Sequence, residues 1–166
     1  MKTIPLTQGK EAIVDDKDYA FLMQWKWFAH SEGYAARNAR KADGVDRKII
    51  YMHRVIAERA GFVTTERIDH KDGNGFNNRR TNLRPASNQK NLANRGPNNN
   101  NTSGFKGVSR DRDKWAAQIK VAGRHLHLGN FDSKTDAAKA YNAAAIKHFG
   151  EFAYQNPVGR RAAHRR

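Results

Sequence analysis

The chain has 166 residues, with 31 lysines and arginines against 16 acidic residues and no cysteine. Its formal charge of +15 favours a polyanionic partner, most often nucleic acid, and the lack of cysteine excludes disulfides and thiolate metal sites. The N-terminus has no apolar leader and no stretch approaches membrane-spanning length, so we expect a cytoplasmic protein that binds no membrane.

The positive charge is concentrated in two regions. Residues 67–95 contain seven basic and two acidic residues, and residues 104–166 contain thirteen basic and five acidic residues. An anionic membrane is the competing partner, but the sequence has no helix with a wide apolar face opposite a basic one. The charge distribution therefore predicts contact with nucleic acid in both regions.

Residues 1–50 are predicted to form a β-rich supporting segment. The pattern indicates short strands, a helix over 19–28 and a hairpin around the turn at 43–44. Trp25 and Trp27 are either core aromatics or a platform on which bases stack. We favour the core, because a small domain with few aliphatic residues needs its aromatic side chains inside.

Residues 51–95 hold most of the candidate chemistry. The part from Ile68 to Asn91 is dense in Asp, His and Asn and has few large apolar residues, so its polar groups must stay hydrated, hold turns or bind something polar. Carboxylate, imidazole and carboxamide groups beside arginines suit a hard divalent cation together with a phosphate. The sequence therefore predicts a phosphodiester-cleaving site. The predicted elements are a helix over 53–60, a strand over 67–70, a loop over 71–83 and a helix over 87–95.

Residues 96–103, GPNNNNTS, are a linker by composition and precede a second pattern over 104–156. Strands are predicted over 105–109, 114–121 and 124–128, followed by a helix over 133–149 that starts at a Ser133–Asp136 capping box. A meander with one apolar face under the helix leaves its basic face able to enter the major groove. The basic tail, 157–166, is predicted to lie along phosphates.

The spacing around His70 resembles the HNH nuclease motif in its phage homing-endonuclease form. The residues that carry the resemblance are Asp69-His70, then Asn82 twelve positions after the histidine, and Asn91 nine positions further. The resemblance implies a ββα-metal fold in which His70 is the general base and Asp69 and Asn91 hold one Mg²⁺ or Mn²⁺. Asn82 would brace the loop and orient His70. Imidazole can be an unprotonated base at neutral pH, and oxygen ligands suit these cations.

Three arginines in the same stretch, Arg79, Arg80 and Arg84, are expected to grip neighbouring phosphates. His53 is either a satisfied histidine at a helix start or a supporting residue of the site. A calcium loop is excluded because Lys71 and Arg80 occupy positions that need oxygen ligands. An Asn-rich basic loop that touches DNA without chemistry, and a degenerate nuclease that keeps the fold alone, both stay open.

Residues 103–156 resemble the AP2/ERF DNA-binding domain over nearly its whole length, in GFKGVSRDRDKWAAQIK and RHLHLGNFDSKTDAAKAYNAAAIKHFGEFA. Where plant relatives usually have Glu, Arg and Trp, this chain has Gln118, Lys120 and His127, so their GC-rich target should not be carried over. His125 and His127 could also pair on a metal, but a DNA-facing or solvated role is favoured. By position, the DNA-facing residues are Arg110, Arg112, Gln118, Lys120, Arg124, His125 and His127, with Lys106 nearby.

These features together predict an α+β protein with an N-terminal ββα-metal nuclease module, followed by a three-stranded antiparallel sheet with one packed helix. The expected function is metal-dependent, homing-type endonuclease action that nicks double-stranded DNA in a bacterial host cell if the gene is phage-encoded. We expect a monomer or weak dimer without a nucleotide cofactor. The alternative function is that of a DNA-binding regulator with an inactive nuclease-like module.

Overall fold

The computed structural model describes residues 1–44, 48–63 and 65–159. By its internal contacts the chain divides into two units, Met1–Ser87 and Asn88–Arg166, so the division falls before the predicted linker rather than within it. The fold is α+β, with small antiparallel sheets and four helices in the described residues. None of the helices in this described part is long and apolar enough to cross a bilayer. The arginine-rich end of the predicted tail, 160–166, lies outside the described residues.

The first unit is built from short antiparallel pairs and two helices among its described residues. β1 pairs with β2, β3 and β5 flank β4, and β6 pairs with β7. Its elements are β1 (Lys2–Pro5), β2 (Glu11–Val14), α1 (Asp16–Leu22), β3 (Phe28–Ala29), β4 (Ala35–Asn38), β5 (Ile49–Tyr51), α2 (Met52–Arg59), β6 (Arg67–His70) and β7 (Leu83–Ala86), with 3₁₀ turns at Thr7–Gly9 and Lys41–Asp43.

Helix α1 begins and ends earlier than the predicted range of 19–28. Asp16 and Asp18 lie in its first turn, where carboxylates are favoured by the helix dipole. The chain then leaves the helix so that Trp27 turns inward, where its indole Nε1 donates to the carbonyl oxygen of Leu22 at 2.8 Å. Trp27 is 5% exposed, and Trp25 is partly buried against the same core, which confirms the core interpretation of this pair.

The predicted hairpin in the middle of the unit is present as the β4–β5 pair, although residues 45–47 of its connection lie outside the described residues. Asp43 accepts bonds of 2.8 Å from both terminal nitrogens of Arg37, whose guanidinium group lies over the ring of Trp25. The Arg37 side chain and the backbone N–H of Arg40, in that order, hold the pKa of the Asp43 carboxyl well below its usual range. This ion pair closes the end of β4.

Strand β6 has the predicted bounds, but its partner β7 was not predicted. Pro85 and the preceding Asn-rich stretch argue against a strand. Among the described strands, however, β7 pairs only with β6, so the N–H that proline lacks is not needed for pairing with another strand. The register sets Asp69 opposite Arg84 and His70 opposite Leu83. The hairpin therefore fixes both ends of residues 71–82, which we name the polar loop.

The core of the first unit collects side chains from most of its elements. Its buried apolar residues include Ile4, Val14, Leu22, Met52 and Ile56, and it reaches Ile68 on β6 and Leu83 on β7. At about 25 cal/mol per Å² of apolar surface removed from water, this burial is the main favourable term for a unit with such short strands. The strand end that carries His70 is thereby held against a packed base.

The second unit begins with a short helix and continues as a meander covered by a long helix. β8 and β10 flank β9 in an antiparallel sheet, which confirms the predicted three-stranded arrangement. β10 runs further than predicted because an irregularity in the register between His127 and Gly129 lets it continue. The elements are α3 (Asn88–Asn94), β8 (Val108–Asp111), β9 (Lys114–Val121), β10 (Arg124–Phe131) and α4 (Lys134–Phe149), with a 3₁₀ turn at Gly150–Phe152.

Helix α4 starts at the predicted capping box. Ser133 Oγ accepts from the backbone N–H of Asp136 at 3.1 Å, which satisfies one free donor of the first turn. Small buried residues such as Ala137 and Ala145 let the helix lie close to the sheet, and Tyr141 fills the space between them. A Cβ at Gly107 would lie 2.2 Å from the Tyr141 ring, so glycine is required at this close approach.

Two buried asparagines join the end of the second unit to its helix. Asn156 N–H donates to Asn142 Oδ1 at 2.7 Å, and Asn142 Nδ2 donates to the Asn156 carbonyl at 2.9 Å. The Asn156 side chain also exchanges bonds with both backbone groups of Lys106. Since both asparagines are at least nine-tenths buried, these bonds satisfy groups that would otherwise destabilise the unit.

Candidate functional site

The end of β6 places Asp69 and His70 on opposite faces of the strand, because successive side chains alternate. Both are buried, at 5% and 4% exposed. Asp69 Oδ2 accepts from Arg84 Nε across the hairpin at 2.9 Å, with Nη2 also 2.9 Å away. The carboxylate predicted to bind a metal is thus paired with an arginine that was predicted to bind phosphate.

His70 is oriented by an amide of the polar loop that sequence reasoning missed. Its Nε2 lies 3.3 Å from Asn78 Oδ1, and the Nδ2 group of fully buried Asn78 donates to the carbonyl oxygens of Gly75 and Phe76. Because those bonds leave Oδ1 as the acceptor, the neutral His70 ring carries its proton on Nε2 and is unprotonated at Nδ1. The bond to Asn78 holds the ring in one orientation.

Burial lowers the pKa of His70, while the bond to Asn78 and the charges of Asp72 and Asp69 act in the opposite direction. The net shift is downward, so the ring is neutral at pH 7. A neutral imidazole can accept a proton without first losing one, which is the state that a general base requires.

Asn82 braces the polar loop, and the described hydrogen bond to His70 comes from Asn78. Asn82 Nδ2 donates to Asp72 Oδ1 at 2.9 Å and to the Asn77 carbonyl at 2.7 Å, and its Oδ1 accepts from the Asp72 N–H. Burial raises the pKa of Asp72, but bonds from the Asn74 backbone, Asn77 and Asn82 outweigh it, so the net pKa lies below its ordinary value. Asp72 is therefore an ionised hub of the loop, a role that the sequence pattern did not suggest.

The polar loop is also fastened from outside. The N–H of Ile13 on β2 donates to the Phe76 carbonyl, and the Asn78 N–H donates back to the Ile13 carbonyl, both at 2.8 Å. A Cβ at Gly75 would lie 2.2 Å from the Gly33 carbonyl oxygen and 2.6 Å from the Tyr34 ring. The loop is thus a packed part of the first unit, in spite of its composition.

His53 at the start of α2 completes a cluster of rings around His70. Its ring lies edge-on to His70 at 5.2 Å between centroids, stacks on Tyr51 at 5.5 Å and contacts Tyr34 at 5.3 Å. Tyr34 also lies 5.8 Å from His70. We name these four side chains the ring cluster. Apart from His53, no sequence pattern indicated that α2, β5 and the residue before β4 meet at His70.

The chemical state of His53 contradicts one of its two sequence-based interpretations. The residue is 8% exposed, and its Nδ1 is buried without a hydrogen-bond partner. Burial and the nearby His70 and Arg54 lower its pKa to about 3. His53 is therefore a neutral imidazole. Because its Nδ1 lacks a hydrogen-bond partner, the interpretation as a histidine with all its hydrogen bonds satisfied does not hold.

The three arginines expected to hold phosphates have different environments. Two nitrogens of the Arg80 guanidinium group, Nε and Nη2, donate to the carboxylate of Asp18 at 2.7 Å each. The Asp18 side chain is fully buried. Arg84 is 7% exposed beside Asp69. Arg79 is the most open of the three, with 41% of its side chain exposed and a longer 3.6 Å contact to Asp15.

Asn91, the second predicted metal ligand, lies partly buried on α3, which belongs to the second unit. The C-terminal end of α3 is capped by Lys106, whose Nζ donates to the carbonyls of Leu92, Ala93 and Arg95 at 2.6–2.8 Å. Burial lowers the pKa of Lys106 to about 8. Lys106, expected near DNA, thus serves to hold this helix.

The exposed side of the second unit's sheet gathers part of the predicted DNA-facing set. Cross-strand pairing sets His125 opposite Lys120 and His127 opposite Gln118, and all four are exposed on one face, which we name the outer sheet face. Arg110 and Arg124 lie on the other face of the sheet. They pair across strands with Trp115 and Val121, which belong to the helix-covered face. Arg112 lies in the β8–β9 turn with a φ of 50°.

Arg110 is also held within its own strand pair. Its guanidinium lies 5.1 Å over the Trp115 ring, and its Nε donates to the Arg112 carbonyl at 2.9 Å. Trp115 itself is partly buried against the core of this unit. The described residues hold no group of three or more His, Cys, Asp or Glu side chains arranged for a metal ion, so His125 and His127 have no third partner of these types.

No protein-family model matches the chain, and no solved structure is significantly similar to it. The chain is 29% identical over 154 residues to an uncharacterised HNH endonuclease of Acanthamoeba polyphaga mimivirus, which covers 91% of this chain and 77% of that protein. It is 34% identical over 85 residues to dehydration-responsive element-binding protein 2D of Arabidopsis thaliana, which covers 49% of this chain and 41% of that protein. The first name agrees with the family that the residues around His70 resemble, and the chain is a partial homologue of both proteins.

Proposed function

We propose that the protein is a metal-dependent DNA endonuclease of the homing type, in which the first unit hydrolyses phosphodiester bonds and the second unit binds double-stranded DNA. The observation that carries the proposal is the state of His70, which is buried, neutral and tied through Nε2 to Asn78. Similarity to a protein named as an HNH endonuclease supports the same reaction class.

His70 would take a proton from the attacking water, while Asn78 keeps the ring from rotating. Asn82 and Asp72 would hold the loop that carries Asn78, so they would act on the reaction through its geometry. Arg79 is the best placed of the three arginines for a phosphate, since Arg80 and Arg84 are engaged by internal carboxylates.

Asp69, the residue before His70, has the donor chemistry that a hard cation prefers, and in this structure its carboxylate is paired with Arg84. Asp69 offers a carboxylate, and Mg²⁺ or Mn²⁺ needs few protein ligands because it keeps waters and a substrate phosphate. Asp69 would hold the ion; Asn91, the second ligand expected from the sequence, lies on α3 of the second unit. When bound, the ion would neutralise charge on the scissile phosphate and on the departing 3′ oxygen, leaving 5′-phosphate and 3′-hydroxyl ends.

The outer sheet face would supply target binding. Exposed Gln118 and Lys120 side chains can reach base edges or phosphates in a major groove, and the β-meander is thin enough to enter it. Similarity to a protein named as an element-binding protein supports this role for part of the chain.

The test is incubation of the purified protein with supercoiled plasmid DNA in Mg²⁺ or in EDTA, beside His70→Ala and the control His148→Ala, an exposed histidine of α4. We expect relaxed circles with the wild type and the control, in Mg²⁺ alone, and at least about a 10²-fold lower rate with His70→Ala. Linear product would indicate paired cuts. Cleavage that survives His70→Ala would contradict the assignment of the base.

The second candidate is a DNA-binding regulator without nuclease activity. It is favoured by the Asp69–Arg84 ion pair, because an internal arginine competes with a cation for the carboxylate. This candidate predicts a mobility shift on DNA and intact plasmid in both Mg²⁺ and Mn²⁺.

A further inference from the structure

The turn between β1 and β2 lies beside the polar loop and has no part in the proposed function. We name residues 7–10, Thr-Gln-Gly-Lys, the hairpin tip; all four are exposed. Lys10 Nζ lies 5.3 Å from the centroid of the Phe76 ring in the polar loop. The Phe76 carbonyl accepts from Asn78, whose Oδ1 lies 3.3 Å from His70. The hairpin tip is therefore next to the loop that orients His70.

Backbone and side-chain bonds fix the position of the hairpin tip. The Leu6 N–H donates to the Lys10 carbonyl at 2.8 Å and closes the turn, and Thr7 Oγ1 accepts from the Ala29 N–H at 3.1 Å. Further along β2, Ile13 exchanges two backbone bonds with the polar loop. An element fixed in this way can place a side chain at a defined distance from the candidate site.

Two side chains of the hairpin tip have polar groups available for a ligand. Among the described residues, none hydrogen-bonds the Gln8 carboxamide, and none forms an ion pair with Lys10. A carboxamide offers a donor and an acceptor, as base edges do, and an ammonium group suits a phosphate. Glu11, the next residue, lies on the opposite side of the extended backbone from Lys10. These groups fit a DNA groove and the phosphates at its edge.

The backbone of Gln8 has a conformation that favours glycine. Its φ of 62° and ψ of 29° are left-handed, and Gly9 follows with a φ of 64°. The β9–β10 turn has the same arrangement, with exposed Ala122 at a φ of 48° before Gly123. Because glycine is tolerated at both positions, a change to glycine removes the side chain without harming the turn. Ala122 has no polar group and is therefore the matched comparison for Gln8.

We propose that the hairpin tip is a DNA-reading element of the first unit, in which Gln8 hydrogen-bonds a base edge and Lys10 contacts a phosphate. The end of a two-stranded β-ribbon fits into the major groove, and β1 and β2 form such a ribbon. The inference rests on the DNA binding of the proposed function. It adds recognition to the unit that holds His70, so the base that Gln8 reads lies close to the cut.

The test is selection of binding sites from a pool of duplex DNA with a randomised segment, in EDTA, by the wild type, Gln8→Gly and Ala122→Gly. We expect Gln8→Gly to lose about tenfold preference at one or two adjacent base pairs and to keep its preference elsewhere, because one base contact is lost. Ala122→Gly should select the same sites as the wild type. Both variants should melt at or above the wild-type temperature, since glycine tolerates the left-handed backbone.

Lys10→Ala tests the phosphate contact separately. The slope of log affinity against log salt concentration should fall by about 1, as for one lost phosphate contact. Arg67→Ala is the matched control, since Arg67 is exposed at the opposite end of β6 from His70 and should leave the slope unchanged. Fluorescence anisotropy with a labelled duplex gives both slopes.

The outcomes separate the inference from the proposed function. If Gln8→Gly selects the same sites as the wild type, or if the wild type selects no sequence, Gln8 reads no base and the inference is wrong, while the nuclease proposal stands. An unchanged slope with Lys10→Ala excludes the phosphate contact. If the wild type binds DNA but cleaves none in Mg²⁺ or Mn²⁺, the nuclease proposal is wrong and site selection still decides the role of Gln8. A protein that binds no DNA would contradict both.

Discussion

The polar loop of the first unit and the outer sheet face of the second are both rich in amides and charges, but they use them in opposite ways. In the polar loop, Asn82 and Asp72 bond to each other, and fully buried Asn78 donates to the carbonyls of Gly75 and Phe76. On the outer sheet face, Gln118 and Lys120 are exposed, and no described side-chain hydrogen bond engages them.

The contrast separates rigid positioning from adaptable contact. A general base must be held in one orientation, which requires a satisfied network around it. A surface that meets DNA exchanges water for base edges and phosphates, so its groups must stay available. Similar composition therefore serves chemistry in one unit and recognition in the other under our proposal.

The largest expected effect on stability is that of a substitution at Arg80. Its ion pair with fully buried Asp18 indicates a structural role. Arg59 remains 3.3 Å from Asp18 in Arg80→Ala, so the free energy of unfolding should fall by about 2 kcal/mol, as for lost hydrogen bonds to a charged group. Arg79→Ala, next in sequence and more exposed, is the control and should change stability by under about 1 kcal/mol. Urea unfolding measures both. If Arg80→Ala is as stable as wild type and binds DNA more weakly, the structural role is wrong and Arg80 contacts phosphate, as the sequence predicts.

The burial of His53 predicts a pH dependence of stability. Its pKa is about 3 in the folded protein and about 6.5 when unfolded, so the unfolded chain binds the additional proton below pH 6.5. Stability should therefore fall by about 2 kcal/mol between pH 6.5 and pH 5 through this residue. Urea unfolding of wild type and His53→Phe at both pH values measures the difference. Equal losses in the two proteins would contradict a neutral buried imidazole.

A smaller effect is expected when Asn78 is changed to Asp. The new carboxylate beside Nε2 favours protonated His70 and raises its pKa, so less of the unprotonated base is present in mildly acidic solution. We expect the acid limb of the cleavage rate to move to higher pH, with a loss of about tenfold at pH 6. Thr81→Asp, at an exposed position of the same loop, is the control for added charge. An unmoved acid limb would show that Asn78 does not bear on the base.

The smallest effect tests the other side of the comparison. Lys120→Ala on the outer sheet face should reduce the slope of log affinity against log salt concentration by about 1, as for one lost phosphate contact. Lys147→Ala on α4, also exposed, is the matched control and should leave the slope unchanged. Fluorescence anisotropy at several salt concentrations gives both slopes. A change with Lys147 and none with Lys120 would place DNA on the helix side.

Local patterns predicted some of these elements well. β6 and β9 have their predicted bounds, and α4 starts at its predicted cap, because alternation and capping are local properties. α1 was displaced because Trp27 turns into the core, a tertiary contact that periodicity cannot reveal. β7 was missed because its pairing with β6 across the polar loop outweighs the low strand propensity of Pro85.

The candidate site was predictable in its residue types and less so in its partners. His70 and Asp69 stand out by spacing, but the choice between Asn78 and Asn82 as the partner of His70 depends on the path of the polar loop. Arg80 was assigned to phosphate because its partner, Asp18, lies 62 positions away in sequence.

The most direct test of the separation between chemistry and recognition is a paired assay on one DNA substrate. His70→Ala and the double variant Gln118→Ala/Lys120→Ala are each measured for single-turnover cleavage at low salt and for DNA affinity. The account predicts that His70→Ala loses cleavage and keeps affinity, whereas the double variant loses affinity for its target and still cleaves nonspecific DNA at low salt. Loss of both properties in both variants would contradict it.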